Sequence, residues 1–148
     1  MKPKHQTAHM KAAHIYAELS TARRLKVGAL VVKDDRIISI GYNGMPKGWD
    51  NNCEYEKYEL GNPNDYSLAT KPEVLHAETN AIAKLARSVE SGLDADLYVT
   101  HSPCLDCAKL IYQSGIKRVY FGNAYRSSEG VEFLRASGVD VTQIEKGQ

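Results

Sequence analysis

The chain has few cysteines, little net charge and no long apolar run, and each shortage removes a class of protein. Three cysteines in 148 residues are too few for a disulfide framework. Two of them are grouped as Cys104 and Cys107, which leaves Cys53 without an intramolecular partner. That usage fits a reducing compartment, so a cytoplasmic location is expected. A formal charge of +1 advertises no broad basic field for a nucleic-acid duplex, so small substrates are expected and nucleic acid is not. Met1 to Thr7 is basic, but no signal-type apolar segment follows it and no stretch reaches membrane-spanning length. A soluble, unprocessed protein with no membrane partner is the expectation. Internal repeats and low-complexity tracts are also missing. The length suits one domain over residues 1–148, able to bury a core without covalent staples.

The chemistry is concentrated in two short stretches, His76-Ala77-Glu78 and Pro103-Cys104-Leu105-Asp106-Cys107. Together they carry three soft metal ligands and a carboxylate. A structural zinc usually takes four protein ligands, whereas a hydrolytic zinc takes three and keeps the fourth position for water. His76, Cys104 and Cys107 supply three. Zinc lowers the pKa of its water, and a nearby carboxylate must then carry the proton onward. Glu78, two residues past His76, is placed for that task. Each half alone is a weak signal: a cytosolic C-x-x-C can be a redox pair, and a helical histidine more often packs in a core or sits on a surface. A redox reading, however, leaves His76 and Glu78 unexplained. Their occurrence together points to a catalytic zinc site.

Periodicity gives the surrounding elements. Ala8, Ala12, Ile15, Tyr16 and Leu19 recur at helical spacing, which predicts a helix from His5 to about Ala22. Val27–Val32 and Ile37–Tyr42 are β-branched runs around Lys33-Asp34-Asp35-Arg36, an antiparallel pair. Residues 41 to about 72 lack periodicity and are rich in Gly, Pro, Asn and Asp, which reads as a long functional loop with room for short ordered pieces. A helix is expected over Glu73–Ser91 through Ala77, Ala81, Ile82, Leu85 and Val89, with His76 and Glu78 on its first turn and Gly92 as its stop. A strand over Ala95–Thr100, a helix from Cys104 to about Gln113, a strand over Lys117–Phe121, a helix over Ser128–Ala136 and a strand over Val139–Ile144 complete the pattern. Alternation of strands and helices implies a layered α/β sheet. The two ligand-bearing helices must then bring their N-termini side by side, where the helix dipole also favours thiolate charge.

With Val27-Gly28-Ala29, Gly41-Tyr42-Asn43-Gly44, His76-Ala77-Glu78-Thr79-Asn80-Ala81-Ile82, Ser102-Pro103-Cys104-Leu105-Asp106-Cys107 and Ser114-Gly115-Ile116-Lys117 in view, the chain resembles the deoxycytidylate (dCMP) deaminases of the cytidine deaminase-like superfamily over nearly its whole length. The resemblance implies a three-layer α/β/α fold around a mixed five-stranded sheet, a hexamer, and hydrolysis of dCMP to dUMP and ammonia. It makes His76, Cys104 and Cys107 zinc ligands and Glu78 the proton shuttle for attack of zinc-activated water on C4 of cytosine. It also implies that Asn43 bonds the sugar hydroxyl, that Ala77 and Ser102 meet the base through backbone groups, and that Tyr125 packs near the ring. The segment Gly41-Tyr42-Asn43-Gly44-Met45-Pro46-Lys47-Gly48 is similar to one linked to regulation, with dCTP activating and dTTP inhibiting as Mg2+ complexes. Gly44 and Lys47 would be its effector contacts. Read without its neighbours, the same run is an ordinary turn after a strand.

Some relatives hold a second, structural zinc in the loop region. Cys53 has no second thiol nearby, so one Zn2+ per chain is expected, with Cys53 a free thiol. Arg23, Arg24 and Lys26 either reach a substrate phosphate or form a solvated helix end. A nucleic-acid deaminase would share the zinc chemistry but need a basic, aromatic-lined channel, and a free-cytidine deaminase commonly has Cys in place of His76. A zinc-stabilised interaction module without catalysis would need a fourth ligand. His101 is the nearest candidate, and strand geometry points it away from Cys104.

Overall fold

Backbone chemistry fixes the first hairpin. In the computed structural model, which describes residues 2–59, 62–125 and 127–145 (backbone alone at 59 and 62–65), Asp34 and Asp35 adopt φ of 52° and 60°. Aspartate tolerates this left-handed region, and two such residues in a row make the turn whose twist matches paired strands. Lys33 therefore pairs with Arg36. In chain order the elements are α1 (Pro3–Ala17), β1 (Gly28–Lys33), β2 (Arg36–Tyr42), β3 (Glu54–Glu59), β4 (Asn62–Thr70), α2 (Ala77–Ala86), β5 (Asp96–His101), α3 (Leu105–Gln113), β6 (Arg118–Asn123), α4 (Glu129–Ala136) and β7 (Asp140–Gln143).

Five strands form one sheet in the order β2-β1-β5-β6-β7. β1 is antiparallel to both β2 and β5, whereas β5, β6 and β7 run parallel. The central strands are apolar almost throughout because both faces are covered. Leu30, Val32, Tyr98 and Tyr120 face Met10 and Ala13 of α1. Ala29, Val31, Leu97, Val99, Val119 and Phe121 face the other side, with Ala81, Ile111 and Leu134 from α2, α3 and α4. This is the three-layer arrangement expected. Leu30, Leu97, Ile111, Val119 and Leu134 are fully buried, and each contributes about 1.5–3 kcal/mol of transfer free energy. Among the described residues no helix is long and apolar enough to cross a membrane.

Several boundaries differ from the periodicity reading. α1 stops at Ala17. Glu18, Leu19 and Ser20 form a tight terminal turn onto Ile15, Tyr16 and Ala17 carbonyls, and Leu19 is left exposed. The presumed loop over 41–72 holds the β3–β4 hairpin. Its alternation was hidden because Glu54-Tyr55-Glu56-Lys57-Tyr58 sets charges against tyrosines, most of them solvent-facing. Helix α2 begins at Ala77, not Glu73, because Leu75 exchanges backbone hydrogen bonds with Gly44 (3.1 and 2.8 Å) and is held extended. It ends at Ala86, and Val89 is fully solvated.

Gly41 governs how α2 meets the sheet. A Cβ there would lie 2.2 Å from the Ala77 carbonyl oxygen and 2.6 Å from the Ala81 nitrogen, so backbone rests on backbone and nothing flexible can yield. Gly41→Ala is expected to destabilise the protein by about 2 kcal/mol or more in chemical unfolding. Val89→Ser should stay within about 0.5 kcal/mol of wild type in the same measurement.

Candidate metal centre

The two ligand stretches meet because each ends in a helix cap. His76 occupies the N-cap of α2 with extended backbone (φ −74°, ψ 155°), and Cys104 the N-cap of α3 (φ −71°, ψ 170°). His76 is thus one residue short of the first turn expected for it, and Glu78 lies within that turn. Neither cap side chain is spent on capping its own helix. Asn80 Nδ2 donates to the Tyr42 carbonyl (2.8 Å) and Ser39 Oγ to the Ala81 carbonyl (2.6 Å), which fixes α2 against β2. On the other side α4 is pressed onto the cysteine loop: a Cβ on Gly130 would fall 2.1 Å from the Pro103 carbonyl oxygen.

The result is a compact donor set. His76 Nδ1 lies 3.2 Å from Cys107 Sγ and 3.6 Å from Cys104 Sγ, and all three donor atoms lie within 4.8 Å of one another. Tetrahedral zinc with Zn–N of about 2.0 Å and Zn–S of about 2.3 Å demands N···S edges of about 3.5 Å, so the residues present fit the ion. Among the described residues this is the one cluster of its kind. The three groups are coupled through hydrogen bonds. A hydrogen bond from Cys107, then one from His76, draws Cys104 down to about 4. The hydrogen bond to Cys104 and burial push the Cys107 thiol up, and the Cys104 bond raises His76. A cation would take the place of the protons in those bonds. Glu78 is 4% exposed, and burial pushes its carboxyl up to about 7, a value at which it can both give and accept protons near neutrality.

These groups open into a cleft of about 420 Å3, within the usual range for one small ligand. His76, Ala77, Glu78 and Cys104 form part of its wall, and Asn43, Ser102 and Tyr125 are in the lining too. Asn43 Oδ1 accepts the Val27 N–H and Nδ2 donates to the Leu25 carbonyl, both at 2.8 Å; half of its amide capacity remains. Ser102 Oγ accepts the Tyr125 N–H at 2.7 Å, which holds the half-exposed ring of Tyr125 beside the opening. Arg24 also lines the cleft, with Nη1 donating to Thr70 Oγ1 at 2.9 Å. Lys26, Gly44 and Lys47 are not in the lining.

His101 stays out of the donor cluster. Its Nδ1 is 2.9 Å from Thr100 Oγ1, which itself accepts the Gly28 N–H, and burial lowers its pKa. Cys53, Glu54 and Thr70 join the wall unforeseen. They sit at the base of the β3–β4 hairpin, and once that segment is read as a loop no spacing rule distinguishes them. Cys53 is fully buried, its Sγ 3.5 Å from Thr21 Oγ1.

The cytidine and deoxycytidylate deaminase zinc-binding region matches residues 3–123 of the chain. The deoxycytidylate deaminase of Enterobacteria phage T4 is 33% identical, covering 93% of this chain and 88% of its own. The ComE operon protein 2 of Bacillus subtilis is 38% identical over 92% of this chain and 69% of its own. Among solved structures, the dCMP deaminase of cyanophage S-TIM5 in complex with dCMP and dUMP superposes with a TM-score of 0.86 at 43% identity, covering 97% of this chain and 99% of that one.

Metal analysis of the purified protein should find one zinc per chain. His76→Ala and Cys104→Ser should each bring the content close to zero, while His101→Ala leaves it unchanged; two zinc per chain would contradict the assignment.

Proposed function

Because the chain belongs to the cytidine and deoxycytidylate deaminase family, we propose that it hydrolyses dCMP to dUMP and ammonia. The observation that carries this reading is the convergence of His76, Cys104 and Cys107 beside a buried, proton-competent Glu78 in one nucleotide-sized cleft. Support comes from the cyanophage relative, which was crystallised with dCMP and dUMP.

In this reading His76, Cys104 and Cys107 hold Zn2+, which supplies a water acidic enough to react near neutral pH. Glu78 takes a proton from the attacking water and delivers it to the ring nitrogen, then takes the proton of the new C4 hydroxyl and passes it to the departing amine as the C–N bond breaks. Burial makes the ionised carboxylate basic enough to take the water's proton and the protonated form acidic enough to release it near neutrality. Ala77 sits at the first helical position of α2, where backbone N–H groups have no intrahelical partner, so its amide is available to the base. Ser102 already commits its N–H to the Asn123 carbonyl at 2.9 Å; its contribution to the base is therefore the carbonyl. Tyr125 flanks the ring, and the free amide capacity of Asn43 serves the sugar.

Arg24 spends one of its five donors on Thr70 and offers the others to the 5′-phosphate. Lys26 contributes longer-range charge. The likeness of the Gly41–Gly48 segment to the regulatory segment extends the proposal to dCTP as activator and dTTP as inhibitor, each with Mg2+, with Gly44 and Lys47 as contacts. A cytoplasmic homo-hexamer completes the reading.

Ammonia release should be faster from dCMP than from cytidine, dCTP or single-stranded DNA, rising with Mg-dCTP and falling with Mg-dTTP. Glu78→Gln should lower kcat about 10²–10⁴-fold with zinc retained. Turnover of another substrate alone would overturn dCMP as the substrate, and Glu78→Gln retaining wild-type activity would overturn the proton-shuttle role.

A further inference from the structure

Two exposed surfaces of the molecule have no use in the cleft, and they complement each other. The first is on α1. Its buried face is Met10, Ala13 and Ala17. Three of the apolar positions that recur at helical spacing, Ala8, Ile15 and, just past the helix end, Leu19, lie on the opposite side in solvent. Ile15 is 62% exposed and Leu19 57%. Exposed Lys4 and Lys11 fall in the same stripe, at spacings of three and four. A helix that only had to cover the sheet would be polar on this second face.

The second surface is the β3–β4 hairpin. Among the described residues no other helix or strand packs substantially on it. The bonds that anchor it lie near its base: the Arg23 and Arg24 N–H groups donate to Glu54 (2.8 and 2.9 Å), Arg23 Nη1 to Glu56 (3.1 Å) and Arg24 Nη1 to Thr70 (2.9 Å). Farther out, Tyr58 and Tyr66 pair across the strands with ring centroids 5.4 Å apart, both half-exposed. A two-stranded ribbon alone is marginally stable in water, and packing against a helix or a third strand is what steadies one. Residues 54–70 hold four acidic residues and one lysine, opposite in sign to the α1 stripe.

We propose that the hairpin is an arm that packs on the α1 stripe of a second copy of this chain, tyrosines against Ala8, Ile15 and Leu19 and carboxylates towards Lys4 and Lys11. The two surfaces adjoin in one chain, because residues 21–24, just past α1, hold the base of the arm. A reciprocal exchange about a two-fold axis therefore closes: each arm meets the other copy's helix, and no unfilled surface is left to propagate a filament. Tyrosine suits such a contact, with an apolar ring and a hydroxyl that can stay wet. Opposite charge sets the register of arm on helix and disfavours arm on arm, where like charges would meet. It also favours a second copy over a nucleic-acid strand, whose phosphates would face the acidic hairpin. The inference goes beyond the proposed reading, whose zinc chemistry does not depend on it.

The test uses the zinc-loaded full chain in two measurements. Analytical ultracentrifugation at micromolar concentration should give an even number of chains for wild type. Ile15→Glu and the double variant Tyr58→Ser/Tyr66→Ser should each lower the mass about twofold, with circular dichroism unchanged because these positions face solvent within one chain. Zero-length carbodiimide coupling of wild type should join carboxylates of residues 54–70 to Lys4 or Lys11, in peptides found in the covalent dimer and missing from the monomer band. Monomeric wild type overturns the inference, as does wild-type mass in either variant, or a covalent dimer without those links. Should a variant lose its dichroism, the wild-type links decide alone. None of these results alters the ammonia-release test of the deaminase reading.

Discussion

A tetrahedral metal site tolerates deviations of only about 0.2 Å in its bond lengths, and here that tolerance is imposed on residues 28 positions apart, His76 and Cys104. The fold meets it by stacking backbone on backbone. Helix α2 contacts β2 at Gly41, where no side chain intervenes, and α4 contacts the Pro103–Cys104 loop at Gly130 in the same way. Contacts of this kind cannot be retuned by a rotamer change. The separation of the two N-caps is set by the sheet spacing, and the donor atoms inherit it.

The same arrangement handles the site's electrostatics. Two thiolates and a carboxylate in one small volume repel each other, yet both sulfurs stand at the start of α3 and Glu78 within the first turn of α2, where helix dipoles favour negative charge. Hydrogen bonds from Cys107 and His76 draw Cys104 down, the bond to Cys104 and burial push Cys107 up, and burial raises Glu78 to about 7. Burying a carboxyl at that value costs folding stability above the normal glutamate range.

Most of the fold was legible because its strands are buried on two faces. β1, β5 and β6 announce themselves as β-branched or aromatic runs, and the Asp34-Asp35 turn fixes the first register. The ligand set was legible because zinc chemistry restricts both residue type and spacing. The β3–β4 hairpin escaped because its exposed alternation lacks a core signature, and with it went Cys53, Glu54 and Thr70 of the cleft wall. The start of α2 was misplaced for a related reason. Leu75 is apolar in the right phase for a helix, and its pairing with Gly44, 31 residues away, overrides that preference.

Among the described residues the β3–β4 hairpin joins the cleft through its base: Cys53, Glu54 and Thr70 are in the wall, whereas Tyr55, Tyr58 and Tyr66 face solvent. Chemistry and surface are thereby placed on separate parts of one element. Residues farther along the strands can change in response to whatever the exterior meets, because loop length and exposed composition cost little. Substitutions at the solvent-facing tyrosines of the hairpin therefore leave the composition of the cleft wall as it is.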